Sequence, residues 1–217
     1  MISQQLVTRL SRLYSAVLCD ALDRKGFHGQ AMTHEVRPVF PEARVIGTAK
    51  TLLSVRNPNR SATPYQKELE ALDTLRPGEV VVIGSEGDLS AGLWGELLSC
   101  AARAKGCVGA VTDGLTRDAA GIRKIEFPVF ARGISPYDSY GRSEVVAYDV
   151  PITCGGVRVM PGEVILADFD GVVVIPQSVL DAAVELAESK ARGERIVDEE
   201  FRKGRRIADV FAEYGVL

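Results

Sequence analysis

The stretch Glu79–Ala131, EVVVIGSEGDLSAGLWGELLSCAARAKGCVGAVTDGLTRDAAGIRKIEFPVFA, decides the fold. It reads as two successive strand–loop–helix units and a third strand. The first unit runs from Glu79–Ile83 through the loop SEGDLSAG into a helix over about Leu93–Lys105. The second runs from Val108–Thr112 through DGLTRD into a short helix ending near Ile125, and Val129–Ala131 follows Pro128. Strand–helix–strand alternation implies right-handed crossovers and parallel neighbours. Ligands of such sheets bind outside the carboxyl ends of the strands. The two loops are therefore where chemistry is expected.

The first loop holds Gly84, Gly87, Gly92 and Gly95. Glycines admit a close backbone approach to a ligand, and free N–H groups at a helix start attract anions. It is neither a P-loop nor a dinucleotide fingerprint, since Gly-Lys-Ser/Thr and G-x-G-x-x-G are both absent; a plain turn is the competing reading. The second loop, Asp113-Gly114-Leu115-Thr116-Arg117-Asp118, puts a guanidinium and two carboxylates within six residues. Arg117 suits a planar carboxylate ligand, and Asp118 suits a hard cation. In the competing account Asp113 shapes a turn, Asp118 caps a helix and Arg117 makes a surface ion pair. Glu96, in the first turn of the preceding helix, occupies a place equivalent to Asp118, so neighbouring strands would turn both carboxylates into one crevice. Oxygen donors without histidine favour Mg²⁺ or Mn²⁺ over zinc. A small 2-oxo acid, chelating through carboxylate and keto oxygens, fits such a site.

The rest of the chain frames this unit. Ser3 opens a helical pattern over residues 3 to 25 that Gly26 ends. A β-rich run spans Arg44–Val55, a polar loop spans residues 57 to 63, and a short helix spans Tyr65–Leu75. From Ser143 to Ile175, the pieces EVVAYDV, ITCGGV, EVILAD and VVVI read as an antiparallel or mixed sheet returning to the core. From Ser178 onward the chain reads as a solvated or inter-subunit helix, broken at Gly193 and Gly204. No linker or repeat divides the chain, so a single domain over 1–217 is expected: a compact α/β domain with a helical C-terminal extension.

Composition narrows the function. The 217 residues carry 26 Lys plus Arg against 29 Asp plus Glu, a net charge of −3. That balance argues against a generic nucleic-acid binder, which needs clustered cations. With only His28 and His34, a three-histidine zinc site is impossible; both lie in a polar segment where exposed or capping roles are expected. Cys19, Cys100, Cys107 and Cys154 form no C-x-x-C pair. Cys100 and Cys107 read as small buried hydrophobes, and a reducing, cytoplasmic setting is expected. Neither a secretory signal nor a membrane span is legible.

The runs GLWGELLSCAARAKGCVGAV, TDGLTRDAAGIRKIEFPVFARGISPYDSYGR and DFDGVVVIP resemble the family containing 4-hydroxy-4-methyl-2-oxoglutarate / 4-carboxy-4-hydroxy-2-oxoadipate aldolase and the regulator of ribonuclease activity A. CDALDRKGFHGQAM and the closing EYGVL fit too, so the similarity covers nearly the whole chain. The resemblance implies a sandwich of the swivelling-domain type, assembled as homotrimers or homohexamers, with the C-terminal helices 178–217 at a subunit interface. It implies a class II metal-dependent pyruvate aldolase with oxaloacetate decarboxylation as a side activity. By position, Asp118 would ligate the metal directly and Glu96 would hold it through water. Arg117 would meet the keto oxygen of pyruvate, and the N–H groups of Gly95, Glu96, Leu97 and Leu98 would bind its carboxylate. Glu194 is similar to an acidic residue that enters the neighbouring subunit's metal shell, with Glu199 and Glu200 as alternatives.

Two rival readings accompany this one. A regulator-type member would be non-catalytic and act on a ribonuclease by protein contact; such members lack the acid after the arginine, which this chain has in Asp118. A lyase for a different 2-oxo acid would share the enolate half of the site. Some relatives carry a menaquinone methyltransferase label, but no glycine-rich nucleoside loop supports it here. Tyr137 and Arg142, in ISPYDSYGR, either shape a loop or contact a distal substrate carboxylate.

Overall fold

The period-two alternation of the late strands shows why the chain needs two layers. In the computed structural model, which describes residues 2–216, Ile165 and Ala167 face one apolar core while Val164 and Leu166 face another. Val172 and Val174 likewise face the first core, and Val173 and Ile175 the second. A strand whose successive side chains point to opposite faces, all apolar, must be covered on both.

The strands are β1 (Arg37–Pro38), β2 (Val45–Arg56), β3 (Glu79–Gly84), β4 (Gly92–Trp94), β5 (Gly109–Thr112), β6 (Leu115–Thr116), β7 (Val129–Ala131), β8 (Ser143–Tyr148), β9 (Ile152–Cys154), β10 (Val157–Val159), β11 (Val164–Asp168) and β12 (Gly171–Ile175). The helices are α1 (Gln4–Leu10), α2 (Ser15–Arg24), α3 (Gln66–Asp73), α4 (Glu96–Ala104), α5 (Ala119–Lys124), α6 (Leu180–Arg202) and α7 (Ile207–Tyr214). One mixed sheet runs in the order β1-β7-β5-β3-β2-β11-β12, with β8 also paired to β2. The neighbours β2, β3, β5 and β7 are parallel, as the alternation dictates; β8 and β11 pair antiparallel to β2. Residues 31 to 38 draw the two edges together: Ala31 bridges Val173, and Arg37–Pro38 pairs with β7. The sheet is thus nearly closed into a barrel, within the α/β class expected.

Several boundaries differ from the sequence pattern. Residues 3 to 25 form two helices, because the chain turns at residues 11–14 before Tyr14 opens α2. Ser3 caps the first through Leu6 N–H, and Gly26 ends the second at φ +82°. ITCGGV is a hairpin: β9 and β10 pair antiparallel across Gly155–Gly156. Gly193 does not break α6, which is continuous through it; Gly204, at φ +78°, does end the segment. Nor is α6 simply solvated. Leu180, Ala183, Val184, Ala187 and Ala191 recur on one face and pack on Val17, Leu18, Ala21 and Leu22 of α2, covering the second core. Cys107 and Cys154 are buried as small hydrophobes, whereas Cys100 lies on the solvent face of α4 and is exposed. No helix among the described residues is long and apolar enough to cross a membrane.

Candidate active site

The site depends on two strands too short to be read from periodicity. β4 and β6 pair in parallel, matching Gly92 with Leu115 and Trp94 with Thr116. Residues 93–95, expected in a helix, therefore form a strand and a cap, and α4 starts only at Glu96. Trp94 anchors this start. Its ring is buried and stacked on Phe127, its indole N–H donates to Ser99 Oγ at 2.8 Å, and its carbonyl accepts from Thr116 Oγ1 and from Arg117 N–H, both at 2.8 Å. The pairing brings the starts of α4 and α5 side by side.

Asp118 sits at the cap position of α5 but makes no side-chain cap bond. Its backbone is left-handed, φ +56°, an uncommon state for a residue with a Cβ. Its carboxylate turns back toward α4, where Oδ2 accepts from the Glu96 N–H at 3.3 Å and from Arg117 Nε at 3.2 Å. It therefore leaves its own helix, α5, without a side-chain cap and meets the first N–H of α4 instead. The guanidinium also reaches Asp138 Oδ1 at 3.3 Å, and Asp138 Oδ2 accepts from the Tyr65 hydroxyl at 2.6 Å. Burial, followed by this hydrogen bond to a carboxylate, pushes the Tyr65 phenol up to about 12.

Two glycines make the close approach possible. A Cβ at Gly95 would stand 2.7 Å from Asp118 Oδ2, and one at Gly121 would overlap the Glu96 carboxylate. Glu96 is half-buried over α5 and Leu97 is 81% exposed at the cleft mouth. The N–H groups of Leu97 and Leu98 in the first turn of α4 have no intrahelical partners, whereas that of Glu96 donates to Asp118.

Arg117, Asp118, Gly95, Leu97, Tyr65 and Asp138 line an open cleft of about 240 Å³; the Glu96 carboxylate packs over Gly121 of α5 and is not part of that lining, so the two carboxylates expected in one crevice do not both face it. Glu68 of α3 also lines it, though only 6% exposed; burial, with the Asp138 charge adding, pushes its carboxyl up to about 7. The sequence reading missed Tyr65, Glu68 and Asp138. No local pattern marks them, because they reach the cleft from distant elements.

Asp113 holds the scaffold more firmly than a turn residue would. Buried, it accepts from Ser85 N–H at 2.7 Å, Ser85 Oγ at 2.8 Å and Gly155 N–H at 3.2 Å, tying β3's loop to the β9–β10 hairpin. Arg142 stacks on the Tyr137 ring at 4.5 Å and donates to the Asp138 carbonyl at 3.1 Å, so this pair shapes the loop that carries Asp138. His28 and His34 are exposed and outside the cleft. Glu194, Glu199 and Glu200 lie on α6 and do not line the cleft of their own chain. Glu194 accepts from the Tyr14 hydroxyl and pairs with Lys190, and burial raises its carboxyl. Glu200 is held by Lys203 and Arg205, and Glu199 is exposed.

Among the described residues, no three His, Cys, Asp or Glu side chains are grouped to hold a metal by themselves. Asp118 offers a hard oxygen donor in the cleft, while Glu96 stands at the start of α4 with its carboxylate over α5. Mg²⁺ takes one or two carboxylates and keeps several waters or substrate oxygens. The donor set fits such an ion, with the remaining positions filled from solution.

Fold and cleft together define a class: an α/β protein with a crevice, apolar on one wall and carrying Arg117 and Asp118 on the other, outside the carboxyl ends of parallel strands. The chain belongs to the RraA-like family, described as Aldolase/RraA, which matches residues 15–174. A relative from Halalkalibacterium halodurans, provisionally assigned as a 4-hydroxy-4-methyl-2-oxoglutarate aldolase, is 30% identical over 203 residues, 94% of this chain and 89% of that protein. The crystal structure of RraAS2 from Streptomyces coelicolor, described as an unusual member of the RNase ES inhibitor RraA protein family, is 31% identical. It superposes with a TM-score of 0.80 over 95% of this chain and 100% of that one. An uncharacterized protein from Pseudomonas syringae pv. tomato superposes with a TM-score of 0.88 at 26% identity, covering 98% and 95%.

Proposed function

We propose that this chain is a divalent-metal-dependent aldolase. It cleaves a 4-hydroxy-2-oxo acid such as 4-hydroxy-4-methyl-2-oxoglutarate to pyruvate and a second carbonyl product, and decarboxylates oxaloacetate as a side reaction. The observation that carries this reading is the Asp118 carboxylate. It forgoes its helix cap and turns, on a left-handed backbone, toward Arg117 and the start of α4. A purely structural acid at the start of α5 would cap that helix.

Mg²⁺ or Mn²⁺, held directly by Asp118 and through water by Glu96, would supply Lewis-acid polarisation of the keto group. The chain's own groups do the rest. The N–H groups from Gly95 to Leu98 receive the substrate carboxylate at the start of α4. Arg117, oriented by Asp118 on one side and Asp138 on the other, donates to the keto oxygen. As the C3–C4 bond breaks, negative charge grows on that oxygen, and a donor already aimed there stabilises it more than the ground state. Leu93, Trp94 and Leu98 form apolar wall and limit water around the reacting carbons.

The reading extends to a cytoplasmic homotrimer or homohexamer with no nucleic-acid or membrane partner. In such an assembly Glu194, or Glu199 or Glu200, reaches the metal shell of the neighbouring subunit. The test is a screen of 2-oxo acids with and without Mg²⁺. Pyruvate release from 4-hydroxy-4-methyl-2-oxoglutarate or oxaloacetate is expected, and EDTA should abolish it until Mg²⁺ is restored. No turnover of any 2-oxo acid, together with inhibition of a ribonuclease by the purified chain, would replace the enzyme with a binding protein.

A further inference from the structure

Within the cleft one carboxyl has no part in the reading above. Glu68 is 6% exposed, and among the described residues its carboxyl has no hydrogen-bond or ion-pair partner. A buried carboxylate without a partner is costly, so such groups are rare outside sites that use them. Its position is specific. It lines the cleft of Arg117 and Asp118 on one side and a tight cavity of about 30 Å³ on the other.

The groups around it are acidic or already engaged. Asp138 faces it across the cleft, bound to Tyr65 and Arg117. Glu144 of β8 lines the cavity behind it and is held by Asn57 Nδ2 at 2.7 Å. On its own helix, Glu70 is paired with Lys67. Lys50, the buried cation near the far end of α3, is taken up by Asp149 and Thr74. Arg60, over the Tyr140 ring, makes no ion pair with it, and among the described residues no cation lies within ion-pair distance of Glu68.

We propose that Glu68 is the acid that delivers a proton to C3 of the pyruvate enolate. This rests on the aldolase reading and adds a residue to it. In the cleavage, the C3–C4 bond breaks and its electron pair becomes the enolate, while the C4 hydroxyl proton passes to solvent as the carbonyl product forms. The enolate then takes the proton from the Glu68 O–H. The new C3–H bond completes the pyruvate methyl, and solvent reprotonates the carboxylate left behind. With oxaloacetate, CO₂ leaves instead of the carbonyl product, and one solvent proton is consumed through Glu68. A carboxyl raised to about 7 is half protonated at neutral pH, which suits this work.

The experiment is exchange of pyruvate methyl protons in D₂O, followed by ¹H NMR with the Mg²⁺-loaded protein. It runs the same reaction backward and forward without a second product. Glu68→Gln is expected to slow exchange by about 100-fold or more, while pyruvate binding by calorimetry stays within about threefold. Glu68→Asp should recover an intermediate rate. In ¹³C-glutamate-enriched protein without metal or pyruvate, one side-chain resonance titrating near neutrality should vanish in Glu68→Gln. Wild-type exchange in Glu68→Gln overturns the assignment, as does parallel loss of pyruvate binding and folding in both variants. If the wild-type protein neither exchanges nor cleaves, the aldolase reading fails and this assignment with it. If wild type is active and Glu68→Gln matches it, only the role of Glu68 fails.

Discussion

Asp118 and its neighbours show how few atoms hold the site. The carboxylate is placed by a left-handed backbone, an N–H at the start of α4 and the guanidinium of the preceding residue. Asp118→Asn keeps the shape but halves the charge at the metal position. It should abolish pyruvate release while circular dichroism and melting stay close to wild type, and full activity would sink the metal assignment. Arg117→Ala should lose activity by about 100-fold or more, the usual cost of removing an oxyanion donor. Gly121→Ala is a sharper test of geometry. Its methyl would overlap the Glu96 carboxylate, so activity should fall although no proposed catalytic atom is removed. A wild-type rate in that variant would show that Glu96 need not lie where it does. Arg117 and Asp118, which line the cleft, were legible in the sequence because each sits within a few residues of a strand end. Tyr65, Glu68 and Asp138 were not, since only the fold brings them to the same cleft.

At the scale of elements, the strong apolar runs were readable and the short ones were not. β2, β3, β5 and β7 follow the sequence pattern within a residue or two. β4 and β6 are three and two residues long, so their pairing comes from tertiary position and not from periodicity. The helical pattern over residues 3 to 25 is continuous, yet the helix divides, and the second start has its cap elsewhere in the chain. Asp168 at the end of β11 accepts from Ser15 N–H at 2.7 Å and from Ser15 Oγ at 2.6 Å. A carboxylate from 153 positions away thus does for α2 what Ser3 does locally for α1. Asp168→Ala should lower stability by about 1–2 kcal/mol in urea denaturation, as a lost cap does. An unchanged midpoint would show that the turn at residues 11–14 has another cause. Gly193 misleads for a related reason. The helix penalty of one glycine is about 1 kcal/mol, less than what burying Ala187, Ala191 and Val197 on either side returns.

For the whole molecule, strand order within the parallel core follows from alternation and handedness, whereas closure of the sheet does not. Closure depends on Ala31 and Arg37–Pro38 meeting opposite edges, and no local signal in residues 27 to 43 announces it. Elsewhere, α3 packs against β8, and Glu68 is buried on α3. The global stability should therefore register this one side chain. Below about pH 4.5 Glu68 is neutral whether the chain is folded or not, and burial costs it nothing. As pH rises toward 7 the unfolded chain releases the proton first, and above 7 the folded chain must carry a charge in a poorly solvated wall. Its contribution is thus fully favourable at low pH and lost between roughly 4.5 and 7, by on the order of 3 kcal/mol at most. Glu68→Gln should match wild type near pH 4.5 and exceed it at pH 8 in urea denaturation. Parallel pH profiles for the two proteins would show that the carboxyl is solvated and ordinary. A side chain that lowers stability at neutral pH, and whose replacement raises stability while slowing proton exchange, behaves as part of a working site and not as part of the scaffold.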